Sequence, residues 1–272
     1  MSEIDQARLL EWKTAIGRSE SRQQRLETES LRRFALAIGS DPNVEKVQPP
    51  LAHWAFFQPL LEDGGIGQDG HPRRGDFLPP ISLPRRMYAS ADIRFEAPLL
   101  IGEQAEQVRT IRDVSHKNGS SGDLVFLEVE ALLSQDDVVR VRERQTYVYR
   151  ESGAELPMPV DAGSVSEDEL WEPGPVNLFR YSAATFNTHR IHYDLPYAQD
   201  VEGYPALVVH GPFTANKLAA LAARDGVLSG FSFRARSPLF LGQPIRLQRV
   251  HDEVRALRCD GVTAMTAKAS YR

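Results

Sequence analysis

The sequence predicts an α+β protein built twice, as two repeats in which an antiparallel sheet wraps around a central helix. Three observations carry that prediction. Arg94-Phe95-Glu96-Ala97-Pro98-Leu99-Leu100-Ile101-Gly102 and Arg234-Ala235-Arg236-Ser237-Pro238-Leu239-Phe240-Leu241-Gly242 share Arg, Pro, Leu and Gly in the same order at an offset of 140 residues. Self-similarity at a fixed offset marks a duplicated fold. The two units also close alike, at Tyr149-Arg150 and Tyr271-Arg272. Finally, a slim alanine-rich helix in the second unit is followed by a meander of short β-prone runs.

In chain order, Leu9, Leu10, Trp12, Ala15 and Ile16 stand at helical spacing and predict a packing helix. The first repeat, 1–150, ends in two alternating runs, 124–134 and 138–149, split by Gln135-Asp136-Asp137. Residues 151–178 contain no Lys or Arg, carry seven acidic residues and four prolines, and read as an acidic surface linker. The second repeat, 179–272, has its clearest helix starting at Pro212, a residue suited to a first helical position because its missing N–H would be unpaired there anyway. Leu218 and Leu221 anchor that helix, while Ala215, Ala219, Ala220, Ala222 and Ala223 keep it thin. Strands follow at 245–250, 254–259 and 262–271, the last two joined by the hairpin pair Asp260-Gly261.

Composition excludes several classes. The 272 residues are 42% hydrophobic and 25% charged, as in an ordinary globular protein. A net charge of −5 gives no reason to expect nucleic acid. No apolar run approaches the ~20 residues that span a bilayer, so no membrane role is expected. The N-terminus lacks a basic and then apolar leader, and Glu3, Asp5 and Glu11 argue against an organelle transit peptide. One cysteine, Cys259, forms neither an internal disulfide nor a cysteine zinc site and is expected as a small buried residue, consistent with a cytoplasmic protein.

The chemistry concentrates in Phe179-Arg180-Tyr181-Ser182-Ala183-Ala184-Thr185-Phe186-Asn187-Thr188-His189-Arg190-Ile191-His192-Tyr193-Asp194, with His210-Gly211-Pro212 opening the slim helix. His189 and His192 form H-x-x-H, but no third ligand is evident, so no metal and no cofactor are expected. Gly64, Gly65 and Gly67 lack the strand–loop–helix setting of a nucleotide loop and read as an ordinary loop. The segment resembles the enoyl-CoA hydratase 2, or MaoC-like, branch of the hot-dog superfamily, whose signature is S-G-D-x-N-P-[LI]-H-x-D followed by an H-G-[ML] helix start. Thr185 and Phe186 take the S-G places, Asn187 the Asp place, His189 the Asn place, Arg190 the Pro place, Ile191 matches, and His192 and Asp194 fall on the final His and Asp. The chain is closer still to the double-hot-dog dehydratases related to the type I fatty-acid synthase dehydratase, a subgroup with mesaconyl-C4-CoA and itaconyl-CoA hydratases. That likeness rests on Trp12 with Ile16 to Glu20, His53 to Phe57, Asp69-Gly70-His71-Pro72-Arg73-Arg74-Gly75, Leu78-Pro79-Pro80 and Leu83-Pro84-Arg85-Arg86-Met87. It covers nearly the whole chain.

The resemblance implies a double hot-dog hydro-lyase acting on an acyl-CoA thioester, with mesaconyl-C4-CoA or itaconyl-CoA going to citramalyl-CoA in itaconate degradation, and a homodimer or higher homo-oligomer. Gly211 falls on the family's oxyanion donor. Asn187 cannot accept a proton near neutral pH, which leaves His192 as the titratable base and Asn187 to hold water through its amide. Arg73, Arg74, Arg85 and Arg86 form two pairs, and a CoA phosphate or a free carboxylate calls for cations. Arg85, Arg86, Arg190 and His210 are therefore the candidate substrate-binding residues. His189 is expected to be a positional hydrogen-bonding residue. Phe34-Ala35-Leu36-Ala37-Ile38-Gly39-Ser40 is the expected counterpart of 181–187 in the first repeat; no histidine follows before His53, so that repeat is expected to shape the acyl pocket rather than catalyse. Three other readings remain open: a 3-hydroxyacyl-ACP or -CoA dehydratase of fatty-acid metabolism, a hot-dog thioesterase, and a non-catalytic acyl-CoA binding module.

Overall fold

The computed structural model describes residues 4, 6–119, 122–153, 155–163 and 169–272. In chain order the regular elements are α1 (Gln6–Lys13), β1 (Ser19–Arg25), α2 (Thr28–Ile38), β2 (Arg85–Phe95), β3 (Gln104–Gly119), β4 (Gly122–Gln135), β5 (Val138–Arg150), β6 (Glu169–Trp171), α3 (Pro175–Thr185), α4 (Gly211–Ala222), β7 (Leu228–Ala235), β8 (Ile245–Val250), β9 (Glu253–Leu257) and β10 (Thr263–Tyr271). The strands form one antiparallel sheet in the order β1-β3-β4-β5-β2-β7-β10-β9-β8-β6. Read outward from the β2–β7 seam, each half repeats the same pattern.

The duplication seen in the sequence is the symmetry of this sheet. Along the seam Ser90 pairs with Arg234, Asp92 with Ser232 and Arg94 with Gly230. Asp92 and Ser232 are 140 residues apart, so the sequence offset and the centre of the antiparallel pairing coincide. Gly102 and Gly242 both turn the chain with positive φ, at 88° and 81°, a conformation that suits glycine. The helices α2 and α3 are also counterparts. Each has 11 residues and ends on a left-handed residue, Gly39 or Phe186. They meet through Phe34 and Tyr181, the positions matched in the sequence, with ring centroids 6.4 Å apart.

One hydrophobic core joins the halves beneath the seam. Phe34, Leu31, Tyr181, Phe213, Leu218, Phe231 and Ile93 are all buried in it. α4 crosses there with Ala215, Ala219 and Ala222 against its surroundings, and their small side chains let the helix lie close to the sheet. A second cluster, with Trp12, Ala15, Ile81, Leu83, Val114 and Tyr149, closes the far end of the first half. Only part of the predicted N-terminal face packs there, since Leu10 and Ile16 are exposed.

Three expectations change. Residues 151–178 are not all linker: β6 pairs with β8 through Leu170–Arg246, and α3 starts at Pro175 with Pro as an early helical residue. Acidic, proline-bearing composition hid a helix start, because proline is as natural there as in a loop. Residues 154 and 164–168 of that segment lie outside the described residues. The two repeats also differ in their central helix. Where the second half has α4, the first has a long stretch before β2 whose regular structure is two short 3₁₀ turns, Ala52–Ala55 and Asp63–Gly65. Finally, the slim helix starts at Gly211, one residue earlier than Pro212. The later strands agree: 245–250 is as expected, and Asp136 and Asp137, both with positive φ, make the two-residue turn between β4 and β5.

No helix among the described residues is long and apolar enough to cross a membrane.

Candidate active site

The site grows from the end of α3. The helix stops at Phe186, and the Asn187 N–H donates back to the Ser182 carbonyl at 2.9 Å. Asn187 Oδ1 then accepts the His189 N–H at 3.1 Å. This side chain-to-backbone turn uses the amide oxygen and leaves the Asn187 NH₂ as the outward donor. A 3₁₀ turn, Arg190–His192, follows. It lies against 208–211: the Val208 N–H donates to the Ile191 carbonyl at 3.0 Å, and His192 Nδ1 lies 2.7 Å from the Val208 carbonyl oxygen. A carbonyl only accepts, so Nδ1 carries the proton and Nε2 keeps its lone pair. Burial pushes the His192 imidazole down to about 4, against the opposing bond to Val208, so it is neutral at pH 7.

His210 backs this ring. It is fully buried, stacks on His192 with centroids 3.6 Å apart, and shares a 2.8 Å hydrogen bond with Ser182 Oγ. Among the described residues no acceptor meets the Gly211 N–H, the next donor along the chain. It stands at the N-terminus of α4, where helix N–H groups lack intrahelical partners and the dipole is positive.

The first half reaches into this centre through a loop. Ile66 bridges Pro72, closing a tight turn around Asp69-Gly70-His71. The Arg190 N–H donates to the Asp69 carbonyl at 2.9 Å, Arg190 Nη1 donates to Gln68 O at 3.1 Å, and Thr188 Oγ1 donates to Gly70 O. His71 comes to rest on His189, ring centroids 4.0 Å apart, and His189 lies edge-on to His192 at 5.5 Å. Asp69 accepts both the His71 N–H at 3.0 Å and a 3.1 Å bond from His71 Nδ1. Burial would raise the Asp69 carboxyl, but the hydrogen bond and charge of His71 hold it well below the usual range. Burial, together with the charge of Arg86, pushes His71 down to about 4. His71 is thus a second imidazole with Nδ1 anchored and Nε2 free, and it was absent from the candidates read from the sequence. The D-x-H spacing was visible, but 118 residues separate His71 from His189, and only the docked turn brings them together.

Gly70 makes the docking possible. Its φ is +85°, and a Cβ there would overlap the Thr188 carbonyl. Gly70→Ala is therefore expected to lower the melting temperature and to depress activity together, because a left-handed alanine costs roughly 1–2 kcal/mol before any clash. A variant with unchanged melting and turnover would show that this turn does not need to dock.

A buried carboxylate fixes the seam next to Gly211. Glu143 accepts the Tyr88 hydroxyl at 2.5 Å, Trp54 Nε1 at 3.1 Å, and a 3.2 Å bond shared with His53 Nε2. Tyr88 also packs edge-on to Phe233 across the seam, and its carbonyl lies 3.9 Å from where a Cβ on Gly211 would be.

The arginines separate clearly. Arg85 is paired with Glu202, its Nε 3.0 Å from Oε2, and stands over Tyr204. Arg190 forks onto Asp194 Oδ2 at 2.9 and 2.7 Å and lies over Tyr197. Both of these expected substrate-binding residues are matched by a carboxylate. His210, also expected at the substrate, is fully buried and stacked on His192. Arg86 is buried and has no carboxylate partner among the described residues. No group of three or more His, Cys, Asp or Glu among the described residues is arranged to hold a metal. Cys259 is buried, as expected, with Sγ 2.9 Å from Gln243 Oε1.

Residues 51–241 match the family model of hydroxyacyl-thioester dehydratase type 2. The chain belongs to this family. It is an enzyme, a hydro-lyase. The chain is 44% identical over 238 residues to mesaconyl-C(4)-CoA hydratase of Chloroflexus aurantiacus, covering 83% of this chain and 84% of that one. Among solved structures, a MaoC-like dehydratase from Phytophthora capsici superposes with a TM-score of 0.68 at 14% identity, over 96% of this chain and 97% of that one. A Mycobacterium tuberculosis protein with a double hot-dog fold superposes with a TM-score of 0.52 at 11% identity, over 93% and 95% of the two chains. These two likenesses establish the double hot-dog fold read from the sequence.

Proposed function

We propose that the enzyme adds water across the double bond of mesaconyl-C4-CoA, or itaconyl-CoA, to give citramalyl-CoA, as a step of itaconate breakdown. The 44% identity to a mesaconyl-C4-CoA hydratase along most of both chains carries this reading. In the proposed mechanism, written for mesaconyl-C4-CoA because its double bond is conjugated with the thioester (that of itaconyl-CoA is β,γ and must first shift into conjugation), His192 Nε2 takes a proton from a water held by the Asn187 NH₂. The hydroxyl oxygen bonds to the β-carbon, the π electrons move through the α-carbon, and negative charge gathers on the thioester oxygen, where the Gly211 N–H meets it. The proton on His192 then passes to the α-carbon, which restores the carbonyl. The reverse sequence dehydrates a 3-hydroxyacyl thioester.

The first half, with no histidine in its own 34–40 segment, shapes the pocket and lends its Asp69–His71 turn. With this reading go a cytoplasmic location and self-association of the pseudo-dimer. The family description favours a second reading, a 3-hydroxyacyl-thioester dehydratase of fatty-acid metabolism. The two separate by substrate. Loss of enoyl absorbance should be fastest with mesaconyl-C4-CoA, slower with crotonyl-CoA, and slower still with a long-chain enoyl-CoA. Preference for either unsubstituted chain would replace the first reading with the second.

A further inference from the structure

The reaction dictates where a cation is needed. Mesaconate is a methylfumarate. With the thioester at C4, its free carboxylate is bonded to the carbon bearing the methyl group, which is the β-carbon that takes up water. The anion therefore stands one bond from the atom attacked by the water on His192. Its counter-charge must lie among the histidines, not at the rim where CoA phosphates would be met.

Of the five arginines singled out around this centre, Arg73 is exposed with its Nε on the Ile66 carbonyl at 3.3 Å, and three others are committed. Arg85 is spent on Glu202, Arg190 on Asp194, and Arg74 donates to the carbonyls of Ile81, Leu83 and Pro84. Arg86 differs: its side-chain contact is a hydrogen bond with the neutral Tyr149 hydroxyl, across from it on β5. It is only 8% exposed, yet among the described residues it forms no ion pair. Asp69, whose charge it feels, is already bonded to His71. A buried guanidinium with no carboxylate in contact is costly, because water has been removed and only the charge of Asp69, shared with His71, offsets it.

Its direction follows from the strand. Arg86 and Tyr88 are two apart on β2 and share a face with their cross-strand partners Tyr149 and Tyr147; the Tyr88 ring on that face stacks on Tyr147 and packs on Phe233 across the seam, and the Tyr88 main chain passes beside Gly211. Arg85, on the opposite face, meets Glu202. Arg86 also acts electrostatically on His71 and His189, the two rings leading to His192. We propose that Arg86, supplied by the first half, binds the free carboxylate of the acyl group and so selects a carboxylated enoyl thioester over a plain one. This rests on the substrate reading above. A guanidinium suits the role because its planar fork grips a carboxylate through two parallel bonds.

The test is a cycle between enzyme and substrate. Wild type and Arg86→Gln are each assayed on mesaconyl-C4-CoA, its analogue with the free carboxylate converted to a carboxamide, and crotonyl-CoA. Arg86→Gln should lower kcat/KM for mesaconyl-C4-CoA relative to crotonyl-CoA on the order of 10²-fold, the usual scale for a buried charge pair that loses one partner. Arg86→Lys should recover part of it. Removing the carboxylate from the substrate should make the arginine matter little, so the two changes should be far from additive. Equal losses on all three thioesters, or additive losses in the cycle, would overturn the assignment and make Arg86 structural. If Arg86→Gln does not fold, the wild type decides: it must lose on the order of 10²-fold on the carboxamide, and a smaller loss overturns the proposal. Wild type preferring crotonyl-CoA to mesaconyl-C4-CoA is a different failure, that of the substrate reading.

Discussion

His192→Ala should lower kcat by about 10²- to 10⁴-fold, the range expected when a positioned general base is removed. Its melting temperature should be recorded alongside, because the ring is buried and stacked on His210. The pH profile is the sharper readout. An imidazole works as a base only when neutral. An ordinary histidine would lose that form below about 6.5, whereas His192 is held down to about 4. The wild-type kcat/KM should therefore be level from pH 8 to about 5 and fall as pH drops through about 4. The groups around His192 reinforce this: His71 acts on it as a like charge when protonated, and His189 and His210 are themselves held low by burial.

Folding follows the same histidines with a definite sign. Their folded pKa values are below the unfolded one, so the unfolded chain binds more protons between about pH 6.5 and 4. Stability is complete above that window and declines as pH falls through it, so the acid limb must be measured by brief pH jumps. A profile already falling at pH 6.5 under such jumps, or near-normal turnover in His192→Ala, would remove His192 as the base.

What the sequence disclosed, and what it did not, divides by range. The 140-residue offset became the centre of the β2–β7 seam, because a duplicated unit folds the same way twice and pairs about a dyad. The last three strands, β8 to β10, were legible through alternation and the Asp260-Gly261 turn, whereas β6 lay inside the expected linker and β7 was not foreseen. β1, Ser-Glu-Ser-Arg-Gln-Gln-Arg, was not: it is an edge strand with no apolar residue, so period two leaves no mark in it. At the site, the local motif was readable and the long-range contacts were not. Arg190 and Asp194 are i and i+4, a spacing that itself hints at an ion pair. Glu202, which matches Arg85 from 117 residues away, gave no such hint, and neither did the docking of Asp69-Gly70-His71 on 188–190. The missing central helix of the first half follows from the same asymmetry: the stretch that would form it carries the turn that docks instead.

Gly211→Pro should cost kcat about 10²- to 10³-fold, the scale of losing one oxyanion donor. The substitution is unusually clean. Proline deletes an N–H that has no intrahelical acceptor at the first helical position, and the cost of placing a side chain at 211 before Pro212 is shared with Gly211→Ala. The residue before a proline must be extended, and His210 already is, with φ −58° and ψ 130°. Gly211 is not among the residues with positive φ, so the fixed ring angle does not oppose its backbone. Gly211→Ala provides the contrast. It keeps the donor, and beyond its own helix and chain neighbours its Cβ would meet the Tyr88 carbonyl at an ordinary 3.9 Å. Whatever alanine loses measures how closely the thioester approaches the backbone; the further loss in proline measures the N–H. KM should change much less than kcat in the proline variant, because the enolate oxygen bears its charge in the transition state and the ground-state carbonyl does not. If proline and alanine lose the same amount, or if proline raises KM and spares kcat, the enolate is stabilised elsewhere and Gly211 serves only to admit the substrate.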